Sequence, residues 1–437
     1  MTLKLPPLDA VTADTALPHR TEVVVIGGGI IGVCTALFLA QRGIPVVLLE
    51  KGQVGAEQSG RNWGWCRVMG RDPREIPLGI ESLRLWRGMN ALTGVETGFR
   101  QAGVAYLADT PLQEADNEAW MEHARQYQLD TKLLGPDEVE HLLPGAGRRF
   151  AGALHTPSDG RAEPQRAAPA IAAAARRHGA VILTGCAART IDLQGGRVAG
   201  VVTERGRVAC NQVVLAGGAW SRLFLGNLGI NFPQLKLLGS VLRTKPLKGA
   251  PEAAVGGADF AFRKRLDGGY TVARRNASIA DLVPDSFRLL PSFLPALRKG
   301  RNELRFRVGR RFIEEARLAR RWTAEEETPF EQVRVLDPEP SRRILDEGLV
   351  NLGRAFPAFK EAQVEQRWAG LIDATPDAVP VISPVDGLPG LVLAAGFSGH
   401  GFGIGPGAGR LVADLVAGSP PVVDPAPFRF SRFANAA

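Results

Sequence analysis

Gly27, Gly29 and Gly32 form a G-x-G-x-x-G run, and the carboxylate of Glu50 follows 18 residues after the last of them. Glycine at these places has steric consequences: Gly27 permits a tight turn, Gly29 removes the β-carbon that would hold a pyrophosphate off the backbone, and Gly32 lets a helix lie close on a strand. Ile31 sits inside the same turn. A carboxylate at Glu50 accepts ribose hydroxyls and repels a 2′-phosphate, which disfavours NADP. The chemistry implied is the binding of an ADP-containing dinucleotide, either NAD or FAD.

These residues need a strand, a helix and a second strand to position them, and the flanking sequence provides all three. The apolar run 23–26 reads as a buried strand, 33–42 as a helix stopped by Gly43, and 44–49 as the next parallel strand. The helix N-terminus then directs unpaired amides at the phosphates. Residues 23–40 are apolar enough to suggest a membrane span, but the glycine break at 27–29 makes them a βα unit. The loop that opens at Lys51 is rich in small residues and carries Ser59, Arg61, Asn62, Trp63, Gly64 and Trp65. A donor-rich loop of this kind wraps the second phosphate and ribityl chain of a flavin, which selects FAD.

Three further blocks lie in order along the chain. Residues 158–164 read SDGRAEP, followed by an alanine-rich helix over 167–178 and strands near 181–183 and 198–202; 213–221 read VVLAGGAWS, with Gly217 and Trp220 in the turn. The third block begins at 368–377, WAGLIDATPD with Gly370, and continues to 395–403, AGFSGHGFG with Gly399, His400, Gly401 and Phe402. With these blocks the chain resembles the superfamily of FAD-dependent amino-acid oxidases and dehydrogenases, which contains D-amino-acid oxidase, glycine oxidase, sarcosine oxidase and bacterial D-amino-acid dehydrogenases. The resemblance implies that the residues named so far, apart from the helix stop Gly43, hold FAD, with 399–402 presenting amides and a helix N-terminus to the pyrimidine edge of the flavin, where reduction places negative charge.

The activity implied is oxidation of the carbon–nitrogen bond next to a carboxylate, with hydride passing to the flavin and the imine hydrolysing to a 2-oxo acid and ammonia. Family weight favours D- or secondary amino acids, and L-amino acids stay open. Many relatives carry an arginine soon after the Trp-Ala-Gly-Leu block to grip the substrate carboxylate, but here Ile372 and Asp373 stand in that place. The grip must come from elsewhere, or the substrate must differ. Arg263 and Arg265 share one face of an expected strand, 260–265, with Tyr270 or Arg274 on its hairpin partner, 269–273. Trp65 and Arg67 follow the flavin loop as an aromatic wall and a cation, and His400 is a candidate for deprotonating the amine. Asp373, Asp377 and Glu314 would suit a basic side chain if they line the pocket. Cys66 is a candidate for covalent flavin attachment, against the commoner role of a cysteine as a small buried hydrophobe.

The expected fold is α/β (α+β overall), a Rossmann-type FAD-binding domain with a discontinuous substrate domain on a mixed or antiparallel sheet. Residues 1–20 are expected to form an N-terminal arm, 21–100, 150–222 and 350–418 the FAD domain, 101–149 and 223–349 the substrate domain, and 419–437 a tail. Helices are expected at 287–299 and 312–320. The 45% apolar and 22% charged content suits a large globular enzyme. Four cysteines without paired spacing point to a reducing compartment and to no metal, and the first twenty residues lack the apolar run of a secretory signal. The expected location is therefore cytoplasmic, with peripheral contact at the inner membrane face as a variant. The net charge of +8 is concentrated in arginines between 263 and 321, interleaved with glutamates in the manner of a solvated helical surface. No nucleic acid partner is expected, since basic and aromatic residues do not alternate. The partners are a small amino acid and, as electron acceptor, oxygen or a carrier such as a quinone; homo-oligomerisation is left open. The competing functions are a 2-hydroxy-acid or glycerol-phosphate dehydrogenase and an RNA-modifying or RNA-binding flavoprotein.

Overall fold

The strand Val23–Ile26 buries both faces: Val23 and Val25 join one apolar cluster, Val24 joins another with Ile26. A strand with no polar residue must be covered on both sides. The computed structural model, which describes residues 5–300 and 303–433, supplies both covers. Val23–Ile26 lies inside a six-stranded sheet ordered Val381–Pro384, Leu391–Ala395, Gln212–Leu215, Val23–Ile26, Val46–Leu49 and Val181–Leu183. Every neighbouring pair is parallel except the first. Helices Ile30–Ala40, Pro164–Arg177 and Gly401–Ala417 cover one face. An antiparallel meander of Ala188–Gln194, Arg197–Thr203 and Gly206–Ala209 covers the other.

Helix Gly401–Ala417 is wedged between Ile30–Ala40 and Ile76–Thr93. Its glycines make the wedge possible. A β-carbon on Gly405 would lie 2.7 Å from the Ile30 side chain, and one on Gly409 would lie 2.4 Å from that of Cys34. Close packing here brings the start of the C-terminal helix to the same cavity as the glycine turn at 27–29.

The second sheet has ten strands and is mixed, as expected: most pairs are antiparallel, while Ala254–Gly256 runs parallel to Val104–Ala108 and Ser278–Asp281 parallel to Leu304–Arg307. Its longest pairing joins Leu235–Thr244 to Val364–Ala374. Strands Gly152–Thr156 and Val364–Ala374, which fall in the ranges expected for the FAD lobe, are members of this second sheet. Helix Arg342–Ala355, across which the boundary expected at 350 falls, packs on it too. The expected hairpin forms, with Ala261–Lys264 antiparallel to Tyr270–Ala273. Pro284–Arg288, Leu290–Gly300 and Arg310–Arg317 are helical where two helices were expected. No helix among the described residues is long and apolar enough to cross a membrane.

Candidate functional site

The glycine turn is shaped as its spacing requires. Gly27 has φ +112°, and a β-carbon there would lie 2.4 Å from the Ala216 carbonyl oxygen; one on Gly32 would lie 1.9 Å from the carbonyl oxygen of Gly27. Helix Ile30–Ala40 starts after Gly29 with no cap from that residue, and Ser59 Oγ accepts the Ile30 amide at 2.8 Å. Glu50 accepts the amides of Gly28 (2.7 Å) and Gly52 (2.6 Å), which fixes its carboxylate at the end of the second strand. Burial raises its pKa against the pull of Lys51. Lys51 Nζ donates to Glu57 (2.7 Å) and to the Val333 and Arg334 carbonyls, and lies 4.7 Å above the Trp220 ring. Gly27, Gly29, Glu50, Lys51, Ser59 and Trp220 border a cavity of about 820 Å³ that runs on to the start of the C-terminal helix. A turn cleared of β-carbons, a helix N-terminus and a fixed carboxylate suit the ADP half of FAD.

The loop after Ser59 is rigid by its own hydrogen bonds. Asn62 Nδ2 donates to the carbonyls of Gln58 and Ser59, while its Oδ1 accepts the Gly64 amide at 2.7 Å. Arg61 is buried and donates to Ala56 O, Ala369 O and Asp337, leaving Nη2 without a partner at the cavity. Ile31, Trp63, Gly64, Trp65, Gly217, Trp220, Gly370, Gly399, His400, Gly401 and Phe402 all line the cavity; Gly32 does not, and acts by helix packing alone.

Two expected substrate contacts point elsewhere. Arg263 is buried behind the loop, where Nη1 and Nη2 donate to the two oxygens of Glu163 at 2.8 and 3.0 Å and Nε donates to Trp63 O. Tyr270 is fully buried, and its hydroxyl donates to the carbonyls of Ala250 and Pro251. Neither lines the cavity. The shared face of the strand is real, but that face meets the body of the protein. The carboxylates considered for a basic side chain are also engaged: Asp373 accepts the Gly396 amide at 2.7 Å, Asp377 pairs with Arg74 and Arg432, and Glu314 lies on an exposed helix beside Arg310. Cys66 is buried, and burial pushes its thiol well above the ordinary range, which removes the thiolate that attachment chemistry would use.

Of the cations that line the cavity, Lys51, Arg61 and the expected Arg274 pair with Glu57, Asp337 and Glu347, while Arg67, Arg71 and Arg275 have no carboxylate partner among the described residues. Arg275 Cζ lies 4.0 Å and Arg67 Cζ 5.2 Å from the ring centroid of Tyr106, itself a lining residue. Arg71 is 4% exposed, and its Nε and Nη1 have no hydrogen-bond partner among the described residues. Burial, aided by the charge of Arg67, brings its pKa down to about 10, so it remains a cation at neutral pH. Beside it, His400 Nδ1 lies 3.1 Å from Glu75. Burial and the neighbouring Arg71 hold His400 below its ordinary value; burial works to raise Glu75, but His400 and Arg71 outweigh it and keep Glu75 low. A neutral His400 that donates from Nδ1 to an ionised Glu75 keeps its Nε2 as an acceptor. Arg71, Glu75 and Tyr106 were not singled out in the sequence. The one signal for Arg71 and Glu75 was their position a few residues beyond Arg67.

Comparison with known proteins agrees with this geometry. The model of the FAD dependent oxidoreductase family matches residues 22–415. The chain is similar to the L-amino acid deaminase of Proteus myxofaciens, solved in complex with anthranilate, with a TM-score of 0.95 and 36% identity over 98% of this chain and 97% of that one. Among sequence relatives it is 27% identical to glycine oxidase of Pseudomonas aeruginosa, over 93% of this chain and 98% of the relative. It is also 24% identical to the mitochondrial dimethylglycine dehydrogenase of Mus musculus, of which it spans 45%. A dinucleotide turn with its carboxylate, a C-terminal helix start in the same cavity and a family match over most of the chain lead to one conclusion: the chain belongs to the FAD-dependent oxidoreductase family.

Proposed function

We propose that the protein oxidises the carbon–nitrogen bond of an α-amino acid, giving an imine that water converts to a 2-oxo acid and ammonia. The 36% identical deaminase supports an L-configured substrate. The observation that carries the reading is Arg71, a buried cation at the cavity wall whose Nε and Nη1 have no hydrogen-bond partner among the described residues. A buried guanidinium in that state calls for an anion, and a carboxylate matches its fork. The arginine missing after the Trp-Ala-Gly-Leu block is thus replaced from a different part of the chain.

When bound, FAD supplies the acceptor for the hydride and its two electrons. Arg71, with Arg67 and Arg275 beside it, fixes the carboxylate and so orients the α-hydrogen. His400 takes the ammonium proton at Nε2 while Glu75 holds the ring through Nδ1. Trp65, packed edge-on to Trp63 at 5.4 Å, walls the cavity against water. The test is anaerobic: L-amino acids should bleach the FAD-loaded enzyme and release ammonia, whereas bleaching by 2-hydroxy acids alone would replace this reading with alcohol oxidation. Readmission of oxygen then reports whether oxygen or another carrier is the acceptor.

A further inference from the structure

One α-carboxylate carries a single negative charge, yet of the five arginines that line this cavity three, Arg67, Arg71 and Arg275, are left after Arg61 pairs with Asp337 and Arg274 with Glu347. Among the described residues none of the three pairs with a carboxylate. Arg67 donates to Met69 O, Arg275 donates to Gly257 O at 3.3 Å, and Arg71 finds no acceptor for Nε or Nη1. Of the carboxylates nearby, both oxygens of Glu75 face His400 Nδ1 and those of Asp159 accept the amides of Val68 and Met69, while Glu303 lines the cavity as an exposed residue. Arg67 and Arg275 both lie against the Tyr106 ring, which holds the two charges near each other. A substrate with one carboxylate would leave guanidinium charge uncompensated beside the buried Arg71.

We propose that the substrate carries a second anionic group, so that it is an amino diacid whose side chain ends in a carboxylate. The proposal rests on the amino-acid reading above and adds the side chain to it. One anion is held by Arg71 and the other by the pair on Tyr106. The competing occupant is a bulky apolar side chain, because the far wing of the same cavity is lined by Leu282, Phe287, Leu290, Phe293, Leu297 and Phe306. Those six side chains carry no charge, whereas the three arginines remain unanswered under an apolar substrate.

The experiment compares isosteres on the FAD-loaded enzyme. Anaerobic bleaching by L-glutamate is set against L-glutamine, L-aspartate against L-asparagine, and both against L-leucine and L-phenylalanine. A diacid should react at least about tenfold faster than its amide and than leucine at equal subsaturating concentration; an amide or an apolar amino acid that matches the diacid overturns the proposal. A second readout does not need turnover. Titration of the flavin absorbance with glutarate and with butyrate, at constant ionic strength, should show glutarate binding about tenfold tighter or more. Equal affinity removes the second anion site even if amino acids are oxidised. Tight glutarate binding with no bleaching by any amino acid removes the amino-acid reading instead. In Arg275→Met or Arg67→Met the preference for glutamate over glutamine should collapse toward unity; an unchanged preference in both variants contradicts the assignment.

Discussion

Arg263 and Arg71 are both buried arginines, and the protein treats them in opposite ways. Arg263 is held by both oxygens of Glu163, which also accepts the Leu266 amide at 2.9 Å. Burial acts to raise Glu163, but Arg263 and Arg265 overcome it and bring the carboxyl down to about 2. Arg71 has no such carboxylate, and its own pKa falls. A paired buried arginine joins two lobes of a fold, here the start of helix Pro164–Arg177 to the strand Ala261–Lys264. An unpaired one costs stability and is poised for an anion from outside. The pattern of partners thus separates a structural arginine from a binding one, where exposure alone does not.

Glu163→Ala should test the structural half most strongly. It strands Arg263, and a loss of about 3–5 kcal/mol is expected in denaturant unfolding of the FAD-loaded protein. Because the folded-state pKa of Glu163 is depressed, its contribution is complete above the unfolded value near 4.5 and is lost as pH falls toward about 2. Arg71→Met inverts the outcome: stability should hold or rise, while the second-order rate of flavin reduction by the preferred amino acid falls by about 10² or more, the range for removing one member of a buried charge pair. Tyr270→Phe should cost about 1–2 kcal/mol of stability through two unsatisfied carbonyls and leave substrate preference unchanged, as checked by unfolding and by bleaching rates. The smallest effect concerns Asp159, which burial pushes up to about 7 although Val68 and Met69 donate to it. As pH rises through about 7 its ionisation adds negative charge beside Arg67 and Arg71, so glutarate affinity should weaken by about two- to fivefold. Asp159→Asn should flatten that profile.

The FAD half of the site was legible because its determinants are contiguous. The strand, the turn 27–32, the helix and Glu50 interact mainly with one another, so spacing alone carries the geometry. The hairpin Ala261–Lys264 with Tyr270–Ala273 was legible for the same reason. The substrate half was not, since its contacts join distant segments. Alternation puts Arg263 on a definite face of its strand, but only the arrival of Glu163, a hundred residues earlier in the chain, makes that face interior. His400 meets Glu75 across the helix packing that wedges Gly401–Ala417 against Ile76–Thr93. The block 368–377 resembles a family segment that reaches the flavin, and its local pattern groups it with the FAD lobe. Its strand hydrogen-bonds to Leu235–Thr244 in the other sheet, a pairing that no local pattern encodes.

The most direct measurement is anaerobic stopped-flow reduction of the bound flavin in the wild type and in Arg71→Met, with L-amino acids, their D-enantiomers and 2-hydroxy acids. An L-amino acid should bleach the wild type, and the variant, still loaded with FAD, should be bleached about 10² times more slowly at the same concentration. Equal rates in the two proteins, or bleaching by 2-hydroxy acids alone, would contradict this reading.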